Sequence, residues 1–142
     1  MKRIALAAAG LFLAAPAFAG DPTGAWLTRN GESKVAMNKC GQALCGTIVA
    51  LRQPNDPATG QPKTDSHNPD ATKRARPIIG TMIVFNMLPS GTPDRWNGQV
   101  YNPEDGKTYS GSITLRSANE LDLQGCVAGG LFCKTQTWTR TR

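Results

Sequence analysis

The sequence lacks the short motifs that accompany common enzymatic chemistry. It contains a single histidine, His67, and has neither an H-E-x-x-H metal motif nor a G-x-S-x-G nucleophile elbow. It has no glycine-rich phosphate loop either, and its adjacent carboxylates Glu104 and Asp105 fall in one turn, where they point apart. The sequence therefore predicts no catalytic residue, no metal-binding residue and no cofactor.

Apolar runs long enough to cross a membrane are missing as well. The longest run, residues 4–15, is too short for a membrane span. It follows a basic start and precedes Ala17-Phe18-Ala19, an arrangement typical of a secretory signal peptide. An uncut membrane anchor is the alternative, which the helix-breaking Pro16 beside the A-x-A site disfavours. We expect a signal peptide over residues 1–19 and one periplasmic or secreted domain over residues 20–142.

Basic runs are also absent, although the formal net charge is +6. Loss of Lys2 and Arg3 with the signal peptide would lower this charge to +4. Without a basic run, and with an export signal, nucleic acid is not an expected partner. The remaining basic excess favours an acidic ligand or an acidic surface in the cell envelope.

All four cysteines, Cys40, Cys45, Cys126 and Cys133, fall in the predicted exported domain. An even number in an oxidising compartment predicts disulfides, and Cys40–Cys45 with Cys126–Cys133 is the simplest of the three formal pairings. A four-thiolate zinc site is the alternative. The C-x4-C and C-x6-C spacings are loose for zinc, and nearby histidine ligands are missing.

The exported part is rich in turn signals, such as Asn30-Gly31, and poor in helical periodicity. The turns separate eight strand-like runs: GAWLTR (24–29), SKVAMNK (33–39), LCGTIVAL (44–51), IIGTMIVFNML (78–88), RWNGQVY (95–101), KTYSGSITL (107–115), ELDLQGCV (120–127) and LFCKTQTWTR (131–140). All connections but one are short, which predicts an all-β fold, an eight-stranded antiparallel up-and-down barrel. A β-sandwich would show the same turn spacing.

The run at residues 78–88 is apolar on both faces, so we expect something to cover its outer side. The polar insertion that precedes it, or a partner protein, would serve. A patch used in dimerisation is the competing interpretation, and it leaves both a monomer and a homodimer open.

Several segments together carry a family resemblance. They are residues 24–51, then TDSHNPD (64–70), RARPIIG (74–80), YNPEDGKTYSG (101–111) and QTWTR (136–140), in this order. With them the chain resembles the bacterial domain-of-unknown-function family 2147, a set of small exported proteins, over nearly the whole predicted domain. The family has no established activity. The resemblance implies a lipocalin-like (calycin) barrel.

Two groups of residues match that implied fold. Gly24-x-Trp26 corresponds to the G-x-W signature on the first strand of lipocalins, and Arg140 lies where such barrels place a basic side chain across the tryptophan. The pair would close one end of the barrel by packing and a cation–π contact, a structural role. Asn102 departs from the Tyr-Asp-Pro turn of similar sequences, which puts an acid–base or metal role of that position in doubt.

The insertion KTDSHNPDATKRARP (63–77) is the most polar stretch of the domain. Asn68, Pro69 and Asp70 predict a helix start, with Asn68 as the N-cap and Pro69 as the first helical residue. We expect one long loop that carries a short helix over the barrel mouth. Arg74 and Arg76 either pair with Asp65 and Asp70 or point inward to hold an anionic head group.

Three functions are compatible with these observations. The first, which we favour, is a barrel that binds a small hydrophobic or amphipathic anionic ligand in the cell envelope. Trp96, Tyr101 and Tyr109 are aromatic candidates for its pocket or rim, with ordinary packing as the alternative. The second is a module that binds another envelope protein through the insertion and the fourth run. The third is a hydrolase centred on His67 with Asp65 as orienting carboxylate, although an exposed loop histidine is more common.

Overall fold

Alternating apolar and polar residues form eight strands in a computed structural model, which describes residues 7–11 and 20–142. The strands are β1 (Gly24–Leu27), β2 (Ser33–Cys40), β3 (Ala43–Leu51), β4 (Met82–Pro89), β5 (Arg95–Asn102), β6 (Lys107–Ser117), β7 (Glu120–Val127) and β8 (Phe132–Thr141). Each pairs antiparallel with the next, and β8 pairs with β1. The predicted up-and-down barrel is confirmed, and the sandwich alternative is wrong. The predicted signal peptide lies largely outside the described residues.

The inward face of the barrel follows directly from the strand register. Tyr109, Ile113 and Leu115 of β6 alternate with outward threonines and serines, and Ile113 lies opposite Leu123 of β7. Leu121 lies opposite Trp138 of β8. Because side chains alternate between the faces of a strand, these pairs place the apolar residues inside.

One half of the barrel is filled by large side chains that use the space above small residues. A Cβ atom at Gly111 would lie 2.5 Å from Cγ2 of Val100 and 3.1 Å from Cε of Met87. Met37, Met87 and Trp26 have no exposed surface. This half is therefore a packed core at interior density, with little room for a ligand.

The packed half ends in a plug built on Trp26 and Arg140. The Arg140 guanidinium lies 4.3 Å from the Trp26 ring centroid, as the sequence predicted, and it donates hydrogen bonds to carbonyl oxygens of Asp21, Thr23 and Ala118. A Cβ at Gly24 would lie only 2.8 Å from Nη1 of Arg140, which explains the glycine. These contacts join the N-terminal segment to the β6–β7 turn and close this end.

The cysteines form the two predicted local pairs. Cys40 and Cys45 join β2 to β3, with Cα atoms 5.9 Å apart, and Cys126 and Cys133 join β7 to β8, with Cα atoms 4.1 Å apart. Successive hairpin turns lie at opposite ends of an up-and-down barrel, so one pair is at the closed end and the other at the open end. The four-thiolate zinc alternative is therefore wrong. Two disulfides indicate an oxidising extracellular compartment.

The long connection between β3 and β4 is larger than the sequence predicts. Residues 78–81, assigned to a strand from their apolarity, belong to it, and β4 begins only at Met82. Gly80 has a φ of +99°, and its backbone N–H donates to the carbonyl of Ile48. A turn therefore precedes the strand, because this backbone conformation interrupts a strand ladder.

Among the described residues, no helix is long and apolar enough to cross a membrane.

Candidate ligand site

The open end of the barrel holds a cavity of about 1520 Å³. The β1–β2, β5–β6 and β7–β8 turns and the long connection all meet at this end. Five apolar side chains form the floor: Ile48, Ile83, Val100, Leu123 and Trp138. The volume exceeds the roughly 300–1,000 Å³ of ordinary ligand pockets, because the cavity includes the wide mouth.

The wall above this floor is polar. From Trp138 towards the mouth, the next inward-facing residues of β8 are Gln136 and Lys134. Both line the cavity and are exposed to solvent. The Gln136 side-chain oxygen accepts a hydrogen bond of 2.8 Å from the Trp138 indole. Tyr109 lies across from Gly125 and donates its hydroxyl hydrogen to Asp105. Water therefore reaches far into this half of the barrel.

Apolar side chains form part of the rim. Val127, Leu131 and Phe132 in the β7–β8 hairpin are 42%, 74% and 65% exposed, and all three line the mouth. The Cys126–Cys133 pair lies at the base of this hairpin and holds its two strands together. The mouth thus carries an apolar lip fixed by a cross-link.

The long connection is anchored to the outside of the barrel through Asp65. This carboxylate has no exposed surface. It accepts hydrogen bonds from the hydroxyl of Tyr101 (2.6 Å), the amide of Asn68 (2.8 Å) and Nε of Arg76 (3.0 Å), and Nη2 of Arg76 forms an ion pair with it at 2.8 Å. The burial of a charge costs free energy, which such partners offset. The predicted pairing of Arg76 with Asp65 is confirmed.

The same hydrogen bonds set the pKa values of the cluster. Burial raises the pKa of Asp65, but the hydrogen bonds from Asn68, Tyr101 and Arg76 outweigh it and hold the pKa below its usual value. Burial, the hydrogen bond to Asp65 and the negative charge of Asp65 together raise the pKa of Tyr101 to about 12. Near neutral pH the cluster therefore contains an ionised carboxylate and a protonated phenol.

The helix start in the connection differs from the prediction. Only one 3₁₀ turn forms, Ala71–Lys73, and its N-cap is Asp70, whose carboxylate accepts from the backbone N–H of Thr72 at 3.0 Å. The predicted cap Asn68 is wrong because its side chain is used inside the Asp65 cluster and on the N–H of Asp70. Pro69 consequently precedes the cap instead of opening the helix.

The segment with this short turn packs beside the barrel. The sequence predicted a position over the mouth, and this prediction is wrong. Residues 68–70, Lys73 and Arg76 line a separate groove of about 340 Å³ with Met82, Phe85 and Tyr101. Tyr101 follows the inward Val100 and so points outward, where the Asp65 cluster holds the segment. This segment partly covers the outer face of β4, while Leu88 and Ile79 stay 49% and 42% exposed.

His67 lies where the connection meets the β5–β6 turn. A Cβ at Gly106, which has a φ of +70°, would collide with the carbonyl oxygen of His67. The Asp65 carboxylate accepts no hydrogen bond from His67, so the orienting pair of the hydrolase hypothesis does not form. No cluster of three or more His, Cys, Asp or Glu side chains suited to a metal ion occurs among residues 7–11 and 20–142.

The predicted ligand residues do not all meet in one place. Tyr109 lines the cavity, whereas Tyr101 only borders its mouth, because its side chain points outward and its hydroxyl is bonded to Asp65. Trp96 lies opposite Ile113 and packs on the core, away from the cavity lining. Arg74 and Arg76 do not line the cavity, and Arg74 donates to the backbone oxygen of Asn68 at 2.7 Å. Ligand binding by these residues stays a prediction.

The cavity residues Lys134, Gln136 and Trp138 were missed by sequence reasoning. Their signal is the alternation of the last strand, FCKTQTWTR, in which they share a face with Arg140. Because Arg140 was already expected to face Trp26 inside the barrel, a period of two would have placed Lys134 and Gln136 inside as well.

Comparisons with known proteins agree with this architecture. A solved structure described as protein HP1028 from Helicobacter pylori, which belongs to the lipocalin family, matches with a TM-score of 0.71 and 23% sequence identity, over 86% of this chain and 84% of that chain. This likeness shows a shared lipocalin-like fold. No curated protein matches the chain. The family model described as "Uncharacterized protein conserved in bacteria (DUF2147)" matches residues 24–140. The chain therefore belongs to the DUF2147 family of bacterial proteins.

Proposed function

We propose that this protein is an exported barrel that binds a small hydrophobic or amphipathic anionic ligand in the cell envelope. The single observation that carries the proposal is the cavity, whose apolar floor of Leu123 and Trp138 lies below a water-exposed wall of Gln136 and Lys134. An amphipathic molecule satisfies both surfaces, because its apolar part leaves water while its head stays solvated.

The barrel type supports a binding role. Eight-stranded barrels have interiors that are either filled by side chains or able to hold one small ligand. Here the closed half is filled and the open half is not, since Met37 and Met87 are fully buried whereas Gln136 is exposed. A periplasmic or secreted location is supported by the signal-like residues 1–19 and by the two disulfides.

Native mass spectrometry of protein prepared from the export compartment tests the proposal. We expect an extra mass that denaturation releases, and its size would narrow the ligand class. In the variant Gly125→Phe, a ring between Tyr109 and Lys134 would occupy the cavity and remove this mass. Gln124→Phe adds the same ring on the outer face and should keep it. Equal native and denatured masses for the unchanged protein would contradict the proposal.

Binding of another envelope protein is the second candidate, favoured by one observation. The outer face of the barrel around β4 exposes Ile79, Met82 and Leu88, which the long connection leaves partly uncovered. A dimer or a captured partner that Leu88→Ser releases, with ligand binding unchanged, would support this role. A clean monomer with a bound small molecule would speak against it.

A further inference from the structure

Lys134 occupies a distinct position in the cavity. It lies on the inward face of β8 opposite Gly125, which in turn lies opposite Gly111 of β6. Gly125 contributes no side chain, so the space in front of the lysine stays open towards Tyr109, whereas Val100 and Met87 fill the space above Gly111. A ligand head at this height can reach the ammonium group without displacing protein atoms.

Within the part of the chain that the structure describes, no carboxylate forms a salt bridge with this ammonium group. The two salt bridges among residues 7–11 and 20–142 join Arg76 to Asp65 and Arg116 to Asp122, and neither includes Lys134. The carboxylate of Asp105, which also lines the cavity, already accepts hydrogen bonds from Tyr109 and from the backbone N–H of Lys107. The lysine is therefore available to an external anion.

The charge balance of the lining points to the same residue. Besides Lys134, the cavity is lined by four lysine or arginine side chains and by four carboxylates. Seven of these eight charges lie in turns and in the long connection at the mouth, and the eighth, Lys107, is the first residue of β6, whereas Lys134 lies inside the β8 wall. The unbalanced positive charge of the cavity is thus the one nearest the apolar floor.

The distance from Lys134 to the floor sets the size of the ligand. Trp138 lies four positions further along β8, a distance of roughly 13 Å at about 3.3 Å per residue. We propose that Lys134 binds the carboxylate of an acyl ligand of medium chain length, whose tail lies on Leu123 and Trp138. This assignment rests on the proposed function and adds the chemistry of the head group.

Calorimetric titration with decanoate and decanol tests this assignment. The two probes share a tail and differ in the charged head. We expect Lys134→Gln to weaken decanoate binding about tenfold, because it removes a charge-assisted hydrogen bond. Decanol affinity should change less than about twofold, since a hydroxyl gains little from the ammonium charge. Lys134 is exposed, so the variant should fold normally.

Lys39→Gln is the matched control, because Lys39 is an exposed residue of β2 outside the cavity lining and the substitution removes the same charge. It should alter decanoate affinity by less than about twofold, as expected for a screened surface charge. An equal loss in both variants, or an unchanged decanoate affinity in Lys134→Gln, would overturn the assignment and leave the proposed function standing. If the unchanged protein binds neither probe, the proposed function itself fails.

Discussion

Asp65 is a buried, charged side chain that joins the long connection to the barrel. Its three hydrogen bonds and its ion pair involve Tyr101, Asn68 and Arg76, which belong to the barrel and to two separate parts of the connection. The sequence could predict a pairing of Asp65 with an arginine, since both lie in one charged stretch. It could not predict Tyr101 as a partner, because that contact joins residues distant in sequence and depends on the barrel register.

Asp65→Asn should lower the free energy of unfolding by about 2–3 kcal/mol at neutral pH, because Arg76 and Tyr101 lose a charged acceptor in a buried site. The loss stays below that of a fully buried pair because the Arg76 side chain is 37% exposed. Urea denaturation measures the difference. Asp70→Asn, which changes an exposed carboxylate in the same stretch, should leave the free energy of unfolding nearly unchanged, since Asn is an equally good cap.

The destabilisation by Asp65→Asn should depend on pH. The pKa of Asp65 is lowered on folding, so its stabilising contribution is present above the unfolded value of about 3.9 and is lost as the pH falls through the folded value. The stability difference between the two proteins should be constant above about pH 5 and narrow below about pH 4. A difference that is the same at every pH would refute the charge-based explanation.

At the scale of the elements, the strand pattern determines the strands, whereas loop contacts determine where β4 and the short 3₁₀ turn begin. Strand existence and order could be predicted, because alternation and turn residues are local signals, as at Asn30-Gly31 and in KTYSGSITL. The start of β4 and the cap at Asp70 could not be predicted, because both depend on tertiary hydrogen bonds. The start of β4 depends on the hydrogen bond from Gly80 to Ile48, and the cap depends on the hydrogen bond from the Asn68 side chain to Asp65.

The contact between the connection and the β5–β6 turn should be essential for the mouth. Gly106→Ala forces a methyl group into the His67 carbonyl, whereas Gly41→Ala, with a similar φ of +67°, meets nothing within 4 Å. Both variants carry the backbone cost of about 1–2 kcal/mol. Gly106→Ala should cost about 1–3 kcal/mol more, as overpacking does. Thermal or urea unfolding measures both, and equal losses would show that the contact contributes nothing.

At the scale of the whole molecule, the barrel consists of a packed half and a half that contains the cavity. The closed half is a packed core below the Trp26–Arg140 plug, and it was predictable from the G-x-W resemblance together with the last strand. The open half was not, because a hollow interior is a property of how side chains from several strands fill a volume. Gly125, which leaves the space in front of Lys134 open, carries no signal of its own in the sequence.

The central claim is that a small apolar or amphipathic molecule enters the open half of the barrel. Fluorescence titration with the neutral apolar probe N-phenyl-1-naphthylamine measures this most directly, with the unchanged protein, Gly125→Phe and Gln124→Phe compared. The account predicts saturable binding to one site in the unchanged protein and in Gln124→Phe, and loss of that binding in Gly125→Phe, with all three proteins folded by circular dichroism. Binding that is equal in all three, or absent from the unchanged protein, would contradict it.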